Sequence, residues 1–258
     1  MLFSQVHLII NTVTVRDGSS VSSNHAYRKD TTMADFSNII SHLQTYYPFW
    51  DRLNEREKEA FTSCSSLRNC PKGTFIHSER DECLGILLVL SGQVRVYIQS
   101  DEGREATLFR LGRGDICTLS ASCMIDEITF DILMEAAEDS QLFVTPVCGM
   151  RRIMKNNIYA ENFIYKRSTE ELSEVIWSMS QMLFQSFDKR LAAWLEDERR
   201  STGSPVIATT HDQIAKNLGS AREVVSRMLK YFEREGYVSL SRGAVTIINP
   251  RGLAALID

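Results

Sequence analysis

The sequence predicts an α+β protein with three successive parts: an N-terminal β-roll, a long helix and a C-terminal winged helix-turn-helix. Short alternating segments interrupted by glycine run from about residue 73 to residue 147 and indicate the β-roll. Apolar residues then recur every three or four positions through residues 156–199, which is typical of amphipathic helix. A helix–glycine–helix pattern followed by a hairpin pattern ends the chain and indicates the winged helix-turn-helix.

The composition is that of a globular chain with about two domains. It has 258 residues, 43% of them hydrophobic, and a net charge of −4. No run approaches the ~20 apolar residues of a membrane helix, and the apolar stretch at residues 6–10 lacks the preceding Lys or Arg of a signal peptide. The six cysteines are scattered and form no Cys-x-x-Cys pair, which argues against a disulfide framework and a zinc ribbon. We therefore expect a soluble, cytoplasmic protein with no membrane partner.

The first part of the chain divides into an extension and a β-rich region. Residues 1–32 are polar after the first ten and show no periodicity, which predicts a flexible extension, and Met33 is a candidate for the natural start of translation. Residues 38–61 show helical spacing of apolar side chains. We expect the β-roll within residues 33–150, the long helix over residues 151–186 and the winged helix-turn-helix over residues 187–258.

The strands of the β-rich region are predicted from alternation and turns. After a turn at Gly92, residues 93–98 alternate Val94, Val96 and Ile98 with Gln, Arg and Tyr. A hairpin turn is expected at residues 101–103, a strand through Ala106, and a further turn at residues 112–115. Several short strands with turns about every ten residues are typical of an all-β barrel or roll.

The long helix carries an apolar stripe with two possible partners. Its members recur at three- and four-residue steps: Leu172, Val175, Ile176, Met179, Met182 and Leu183. The stripe could lie on its own domain, or it could meet its copy in a second chain as a coiled coil, and the spacing favours neither. Residues 202–205 (Thr-Gly-Ser-Pro) end the helical region.

The helix-turn-helix is predicted over residues 210–230. Thr210 can cap a short first helix, Gly219 supplies a turn that needs positive φ, and a second helix begins at Ser220 or Ala221. Small or apolar side chains lie where two crossing helices would bury them: Ile214, Ala215, Leu218, Val225, Met228 and Leu229.

The exposed face of the second helix has the chemistry of base recognition. It would carry Ser220, Arg222, Glu223, Ser226 and Arg227. Arginine matches the acceptors of guanine and glutamate can accept from cytosine, although Glu223 and Arg227 could also pair as a surface salt bridge. A hairpin over residues 237–248 forms a wing that places Arg242 to meet phosphate. Residues 201–258 hold seven basic and five acidic residues, against 22 and 28 in the rest, which suits a nucleic-acid-binding end.

With these parts in this order, the chain resembles the Crp/Fnr superfamily of bacterial transcription regulators over about residues 35–258. The most specific match is Gly-Ser-Ala-Arg-Glu-Val-Val-Ser-Arg at residues 219–227, which follows the family's recognition-helix pattern. The resemblance implies a cyclic-nucleotide-binding-like roll (a double-stranded β-helix) that senses an effector, a homodimer joined along residues 157–185, and a pseudo-palindromic site in double-stranded DNA. It also implies RNA polymerase as a partner, for activation or repression alike.

The resemblance also assigns DNA-contacting residues. Arg222, Glu223 and Arg227 take the base-reading places of the catabolite-activator branch, and Glu223, Ser226 and Arg227 take those of the Fnr branch. The full set of expected DNA contacts is Thr210, His211, Gln213, Ser220, Arg222, Glu223, Ser226, Arg227 and Arg242.

The sensor region departs from the patterns of the known effectors in this family. Cyclic-nucleotide binders carry Gly-Glu after a Gly-Asp turn and then Arg-Ser, but here Gly114-Asp115 precedes Ile-Cys-Thr-Leu and the Arg-Ser place falls near Thr129-Phe130. A buried phosphate needs a charge-assisted donor, which argues against cyclic AMP. Residues 1–63 contain no cysteine, so an Fnr-type iron–sulfur cluster in the N-terminal arm is not expected either.

Three effector hypotheses remain open. Cys117 and Cys123, with Cys148, could form a redox or metal-cluster sensor; they could equally be small buried hydrophobes; or Ser120 and Ser122 could hold a small organic ligand. If the roll held haem, His77 would be the one histidine of the roll able to serve as its axial ligand.

Two other classes of protein were weighed against a transcription regulator. A cupin-like metalloenzyme shares the roll but needs clustered His and Glu ligands, which a roll with His77 alone does not supply. A regulatory module without a DNA role would leave Arg222 and Arg227 as ordinary surface charges. We therefore expect a protein without enzymatic activity.

Overall fold

The computed structural model describes residues 43–77, 84–124 and 132–257, with the side chains of residues 122–124 left out. Within them the order is a β-roll with helices at its N-terminal side, a long helix, and a C-terminal unit of helices with a small sheet. The predicted α+β class and the order of its parts are confirmed.

The β-roll consists of two antiparallel four-stranded sheets. The strands are β1 (Ser66–Cys70), β2 (Phe75–His77), β3 (Ile86–Ser91), β4 (Val94–Gln99), β5 (Glu105–Leu111), β6 (Ile116–Cys117), β7 (Leu133–Ala136) and β8 (Ser140–Thr145). One sheet has the order β1-β8-β3-β6 and the other β2-β7-β4-β5. The predicted turns after β3, β4 and β5 lie where those strands end, and β4 pairs with β5 from Val94↔Leu111 to Gln99↔Glu105. Apolar side chains of both sheets fill the core between them.

The predicted helical region before β1 is broken into pieces. Residues 43–46 are helical, a 3₁₀ turn follows at Trp50–Arg52, and α1 spans Glu55–Cys64. Asn54 starts α1 with a capping box, because its side chain accepts from the backbone N–H of Glu57, whose carboxylate in turn accepts from the backbone N–H of Asn54. Phe61 of α1 then packs against the ring of Phe143 in β8, at 6.0 Å between centroids, so this segment covers the outer side of the first sheet.

Three helices follow the roll. They are α2 (Val147–Met154), α3 (Ile158–Phe184) and α4 (Phe187–Thr202). Asn157 caps α3, since its side chain accepts from the backbone N–H groups of Tyr159 and Ala160. The helical pattern predicted over residues 156–199 is therefore divided at residues 185–186, and α4 ends as expected where Gly203 adopts the left-handed conformation.

The two faces of α3 reverse the usual distribution of polarity. The residues buried against the roll include Ser168, Glu171 and Ser178 besides Ile164 and Val175. Apolar side chains are instead exposed along the opposite face: Tyr165, Leu172, Ile176, Met179 and Leu183. Two residues of the stripe predicted from the sequence are not on this exposed face: Val175 packs into the core of the roll of its own chain, and Met182 is half-buried.

The C-terminal unit has its own core. It comprises α4, β9 (Val206–Ala208), α5 (His211–Leu218), α6 (Arg222–Arg234), β10 (Val238–Ser241), β11 (Ala244–Ile247) and α7 (Pro250–Ala254). Its sheet has the order β10-β11-β9. Buried side chains of α4, α5, α6 and the sheet meet in one cluster. Within the described residues, no helix combines the length and apolar character needed to cross a membrane.

Candidate nucleic-acid interface and sensor site

The helix-turn-helix forms as the sequence predicts. Thr210 caps α5, because its Oγ1 accepts from the backbone N–H of Gln213 at 3.2 Å. Gly219 ends α5 with φ +60° and ψ +47°, a conformation that disfavours other residues. The second helix, α6, begins at Arg222, one or two residues after the expected start at Ser220 or Ala221. Val225 and Leu229 are fully buried in the crossing of the two helices.

The outward face of α6 is polar and accessible. Arg222, Glu223 and Arg227 are exposed and Ser226 is half-buried; together with Lys230 they line one surface depression. Lys230 was not among the predicted contacts, although its spacing of three and four residues from Arg227 and Ser226 places it on their face. Such a face can present several hydrogen-bond donors to one groove of a duplex.

Few ion pairs restrain these side chains. Arg222 Nη1 lies 3.3 Å from Asp212 Oδ2, with both side chains more than half exposed, so the pair is weak. In the described part of the chain no ion pair joins Glu223 to Arg227, the salt bridge considered above. The charged groups of Glu223 and Arg227 are therefore available to a ligand.

The remaining predicted DNA contacts surround this helix. Gln213 is exposed and His211 half-buried in the first turn of α5, and Ser220 is half-buried in the turn before α6. Arg242 is exposed at the tip of the hairpin between β10 and β11, as expected for a wing. The structure thus places all of them on the C-terminal unit, in α5 and its cap, in the turn before α6, on α6 and on the wing.

In the sensor region, the loop after β6 is bonded to a buried carboxylate from α3. Glu171 is 1% exposed, and its oxygens accept hydrogen bonds from the backbone N–H groups of Thr118 and Leu119, each at 3.0 Å. The hydroxyl of Thr118 donates to Glu171 at 2.9 Å and also lies 2.8 Å from the hydroxyl of Ser168. The sequence did not indicate this role, because a glutamate in an amphipathic helix is expected on the face exposed to solvent.

The electrostatics of this site follow from its burial. Desolvation raises the pKa of Glu171 to about 7, because it outweighs the hydrogen bonds from Thr118 and Leu119 and the charge of Arg167. Cys117, with its Sγ 4.0 Å from Glu171, is fully buried. Burial and the neighbouring carboxyl raise the pKa of the Cys117 thiol far above its usual range, so the thiol stays protonated at neutral pH.

The predicted effector residues are not brought together into one ligand set. Ser120 is fully buried, and its hydroxyl donates to the carbonyl of Gly85 at 2.7 Å, so it is already used within the fold. Cys148 is exposed on α2. The side chains of Ser122 and Cys123, and the Thr129-Phe130 place, lie outside the described residues. His77 is buried at the end of β2.

The backbone donors of the loop after β6 are already engaged by groups of the fold. The N–H groups of Thr118 and Leu119 bind a carboxyl group, and Arg167 is engaged by the Ile116 carbonyl at 2.8 Å and by Glu170 at 3.0 Å. Within residues 43–77, 84–124 and 132–257 no group of three or more His, Cys, Asp or Glu side chains could hold a metal ion.

Comparison with known protein families gives two matches that follow the architecture. Residues 67–157 match the cyclic nucleotide-binding domain, and residues 189–256 match the Crp-like helix-turn-helix domain. The first covers most of the β-roll and the second covers most of the C-terminal unit.

Comparison with individual proteins agrees with the family matches. The chain is 26% identical over 200 residues to the cyclic AMP receptor protein of Thermus thermophilus, covering 78% of this chain and 92% of that protein. It is 26% identical over 176 residues to the transcriptional regulator SdrP of the same organism, covering 66% and 82%. A crystal structure of a Crp/Fnr-family transcriptional regulator from Eubacterium rectale is 41% identical, with a TM-score of 0.80, and covers 83% of this chain and 99% of that one.

Proposed function

The chain belongs to the Crp/Fnr family of transcriptional regulators, and from that premise we propose how it recognises DNA. Two copies of the chain bind one pseudo-palindromic site, each inserting α6 into the major groove of one half-site. The proposed domains are a sensor over residues 33–150, a dimerisation helix over residues 151–186 and a DNA-binding domain over residues 187–258.

The observation that carries the DNA-binding proposal is the exposed polar face of α6. Arg222 and Arg227 lie five residues apart along α6, about 1.4 helical turns, and both side chains are exposed and line the same surface depression. Each can donate two hydrogen bonds to the O6 and N7 atoms of a guanine, while Glu223 can accept from a cytosine amino group. Thr210, His211, Gln213 and Ser220 surround the helix and, with Arg242 on the wing, contact phosphates.

Dimerisation is supported by the outward face of α3. Its exposed apolar residues Leu172, Ile176, Met179 and Leu183 follow one another at steps of four, three and four. Such spacing forms a coiled-coil seam when two helices meet, and an exposed apolar face of this length is unfavourable in water. A second α3 would cover it.

The sensor acts through the contact between α3 and the loop after β6. Glu171 joins the helix that we propose for dimerisation to a loop that is buried in the roll, so a change at this loop alters the position of α3. The proposed effector is something other than cyclic AMP, because the Gly-Glu and Arg-Ser residues of cyclic-nucleotide binders are missing from this sequence. We further propose that the protein works in the cytoplasm, contacts RNA polymerase and has no catalytic role.

The test is selection of duplexes from a random-sequence pool, followed by binding to single-base variants of the selected site. Arg222→Ala and Arg227→Ala should each weaken specific binding by about 1–3 kcal/mol and relax one base position. Arg242→Ala is the matched control, because loss of a phosphate contact weakens binding to all sequences alike. Equal losses on all sequences for the two α6 variants would show that these residues do not read bases.

A further inference from the structure

A buried group of charges joins the DNA-binding unit to the roll of the same chain. Glu105 of β5 binds Arg95 of β4 at 2.7 Å and Lys216 of α5 at 2.8 Å. Arg95 also donates to the backbone carbonyl of Lys216 at 3.0 Å. The side chains of Arg95 and Glu105 are only 8% and 9% exposed, so water screens this group poorly. The carboxylate of Glu105 is thus shared between one cation of each unit.

Polar contacts continue along β5 beside this group. Arg110 binds Glu198 of α4 at 2.7 Å and donates to the side-chain oxygen of Asn217 in α5 at 3.2 Å. The hydroxyl of Thr107 lies 3.4 Å from the same Asn217 oxygen. We call these residues the β5–α5 contact: Arg95, Glu105, Thr107 and Arg110 on the roll, with Glu198, Lys216 and Asn217 on the DNA-binding unit.

The turn of the helix-turn-helix is pressed against the same strand. A Cβ atom added to Gly219 would lie 3.0 Å from the Cβ of Ala106 in β5, which is tighter than nine in ten real contacts. The positive φ of Gly219 and the approach of the roll therefore both favour glycine at this position. This close packing explains why Arg95, on the face of β4 opposite the roll's core, is buried although the alternation of that strand predicts an exposed side chain there.

In this position the N-terminal half of α5 faces the roll where DNA would have to lie. Thr210, Asp212 and Gln213 line one wall of a cleft whose other wall is formed by residues of the roll, among them Lys72, Glu135 and Glu138, so charges of both signs face α5. The first helix of a helix-turn-helix crosses the DNA backbone when the second lies in the major groove. The roll therefore occupies the space in front of α5 that a DNA backbone would need.

We propose that the β5–α5 contact holds the DNA-binding unit in a position that excludes duplex DNA, and that Glu105 is the residue that keeps it there. The inference rests on the DNA-binding function proposed above and states how that function is controlled. The same strand is tied to α3, because the hydroxyl of Ser178 donates to the carbonyl of Leu108 in β5. A shift of α3 can therefore reach the contact through β5.

The first experiment measures the affinity of the full chain for its selected duplex without added effector. Glu105→Gln removes the negative charge that binds both Arg95 and Lys216. Glu105 belongs to the roll and is not among the proposed DNA contacts. Glu102→Gln is the control, because Glu102 lies in the β4–β5 turn and pairs with exposed Arg104. We expect at least fivefold tighter binding for Glu105→Gln, the lower end of common coupling between sites, and no change for Glu102→Gln. An unchanged affinity for Glu105→Gln overturns the proposal.

The second experiment fixes the contact and keeps the proposal testable if Glu105→Gln does not fold. The double substitution Thr107→Cys and Asn217→Cys places two thiols where side-chain oxygens are 3.4 Å apart. Hydrogen peroxide oxidises the pair: one S–S bond forms, the two thiols give up two hydrogen atoms, and the peroxide is reduced to two water molecules. We expect loss of DNA binding on oxidation and recovery with a thiol reductant; the wild type and each single variant receive the same treatment.

The outcomes separate the two proposals. If the oxidised double variant, with its cross-link verified by mass spectrometry, binds the duplex as well as its reduced form, the contact does not exclude DNA. If no variant binds any selected duplex, even with Glu105 replaced and the thiols reduced, the DNA-binding proposal itself fails. Loss of binding confined to the cross-linked form supports the inference.

Discussion

Replacing Glu171 by glutamine should remove a large part of the pH dependence of stability. The carboxyl group is 1% exposed and accepts hydrogen bonds from the Thr118 and Leu119 N–H groups. Glutamine has nearly the same shape and keeps an oxygen for these donors, but it cannot take up or release a proton in this range. The substitution therefore changes the titration and leaves most of the packing intact.

The sign and size follow from proton linkage. The pKa of Glu171 is raised from 4.5 to about 7 in the folded protein. Between those two pH values the folded protein keeps a proton that the unfolded chain has released, so the free energy of unfolding falls as pH rises. The stabilisation from this group is fully present below pH 4.5 and is lost as the pH passes through 7. Because a tenfold change in an acid dissociation constant corresponds to about 1.4 kcal/mol, the loss of stability amounts to about 3 kcal/mol.

Urea denaturation at pH 5 and pH 8 measures this difference. The wild type should lose about 2.5 kcal/mol more than Glu171→Gln between the two pH values, because part of the full change lies below pH 5. Glu174→Gln is the matched control, since this carboxylate lies on the same helix and is exposed. The same pH dependence in wild type and Glu171→Gln would refute the assignment of a raised pKa to this carboxyl group.

Two further predictions concern assembly. Met179→Glu should yield monomers in a sedimentation experiment, because it places a charge in the exposed seam through which α3 is proposed to dimerise. Glu174→Lys, at an exposed position outside the seam, should leave the proposed dimer intact. A dimer that survives Met179→Glu places the interface elsewhere. Footprinting should reveal two half-sites with centres about 34–36 Å apart, one helical turn of DNA, and protection of a single unrepeated element would contradict the symmetric arrangement.

The local elements of the DNA-binding unit could be predicted from the sequence because short-range chemistry specifies them. Thr210, Gly219 and the buried Ile214 and Leu229 each act within one or two helical turns of their neighbours. The turns of the roll were predicted for the same reason, since glycine and aspartate mark them directly. Residues 38–61 show helical spacing in the sequence, but the cap at Asn54, which starts a separate helix within that stretch, was not identified.

The faces of α3 show what periodicity leaves undecided. An apolar stripe indicates which residues share a face, but not whether that face meets the roll or a second chain. The roll covers the face with Ser168, Glu171 and Ser178, because the loop after β6 and strand β5 offer N–H, hydroxyl and carbonyl partners there. Hence Val175 belongs to the roll's core although its spacing groups it with Leu172 and Ile176.

The sequence by itself determined the class of fold, the order of its parts and the recognition helix, because caps, turns and apolar spacing act between residues close in the chain. Only the tertiary structure decided the partners of Glu171, 53 residues from Thr118, and of Glu105, 111 residues from Lys216. A charged residue carries no mark in the sequence of the distant group that will bind it. Its burial and its pairing are settled when the roll, α3 and the DNA-binding unit pack against one another.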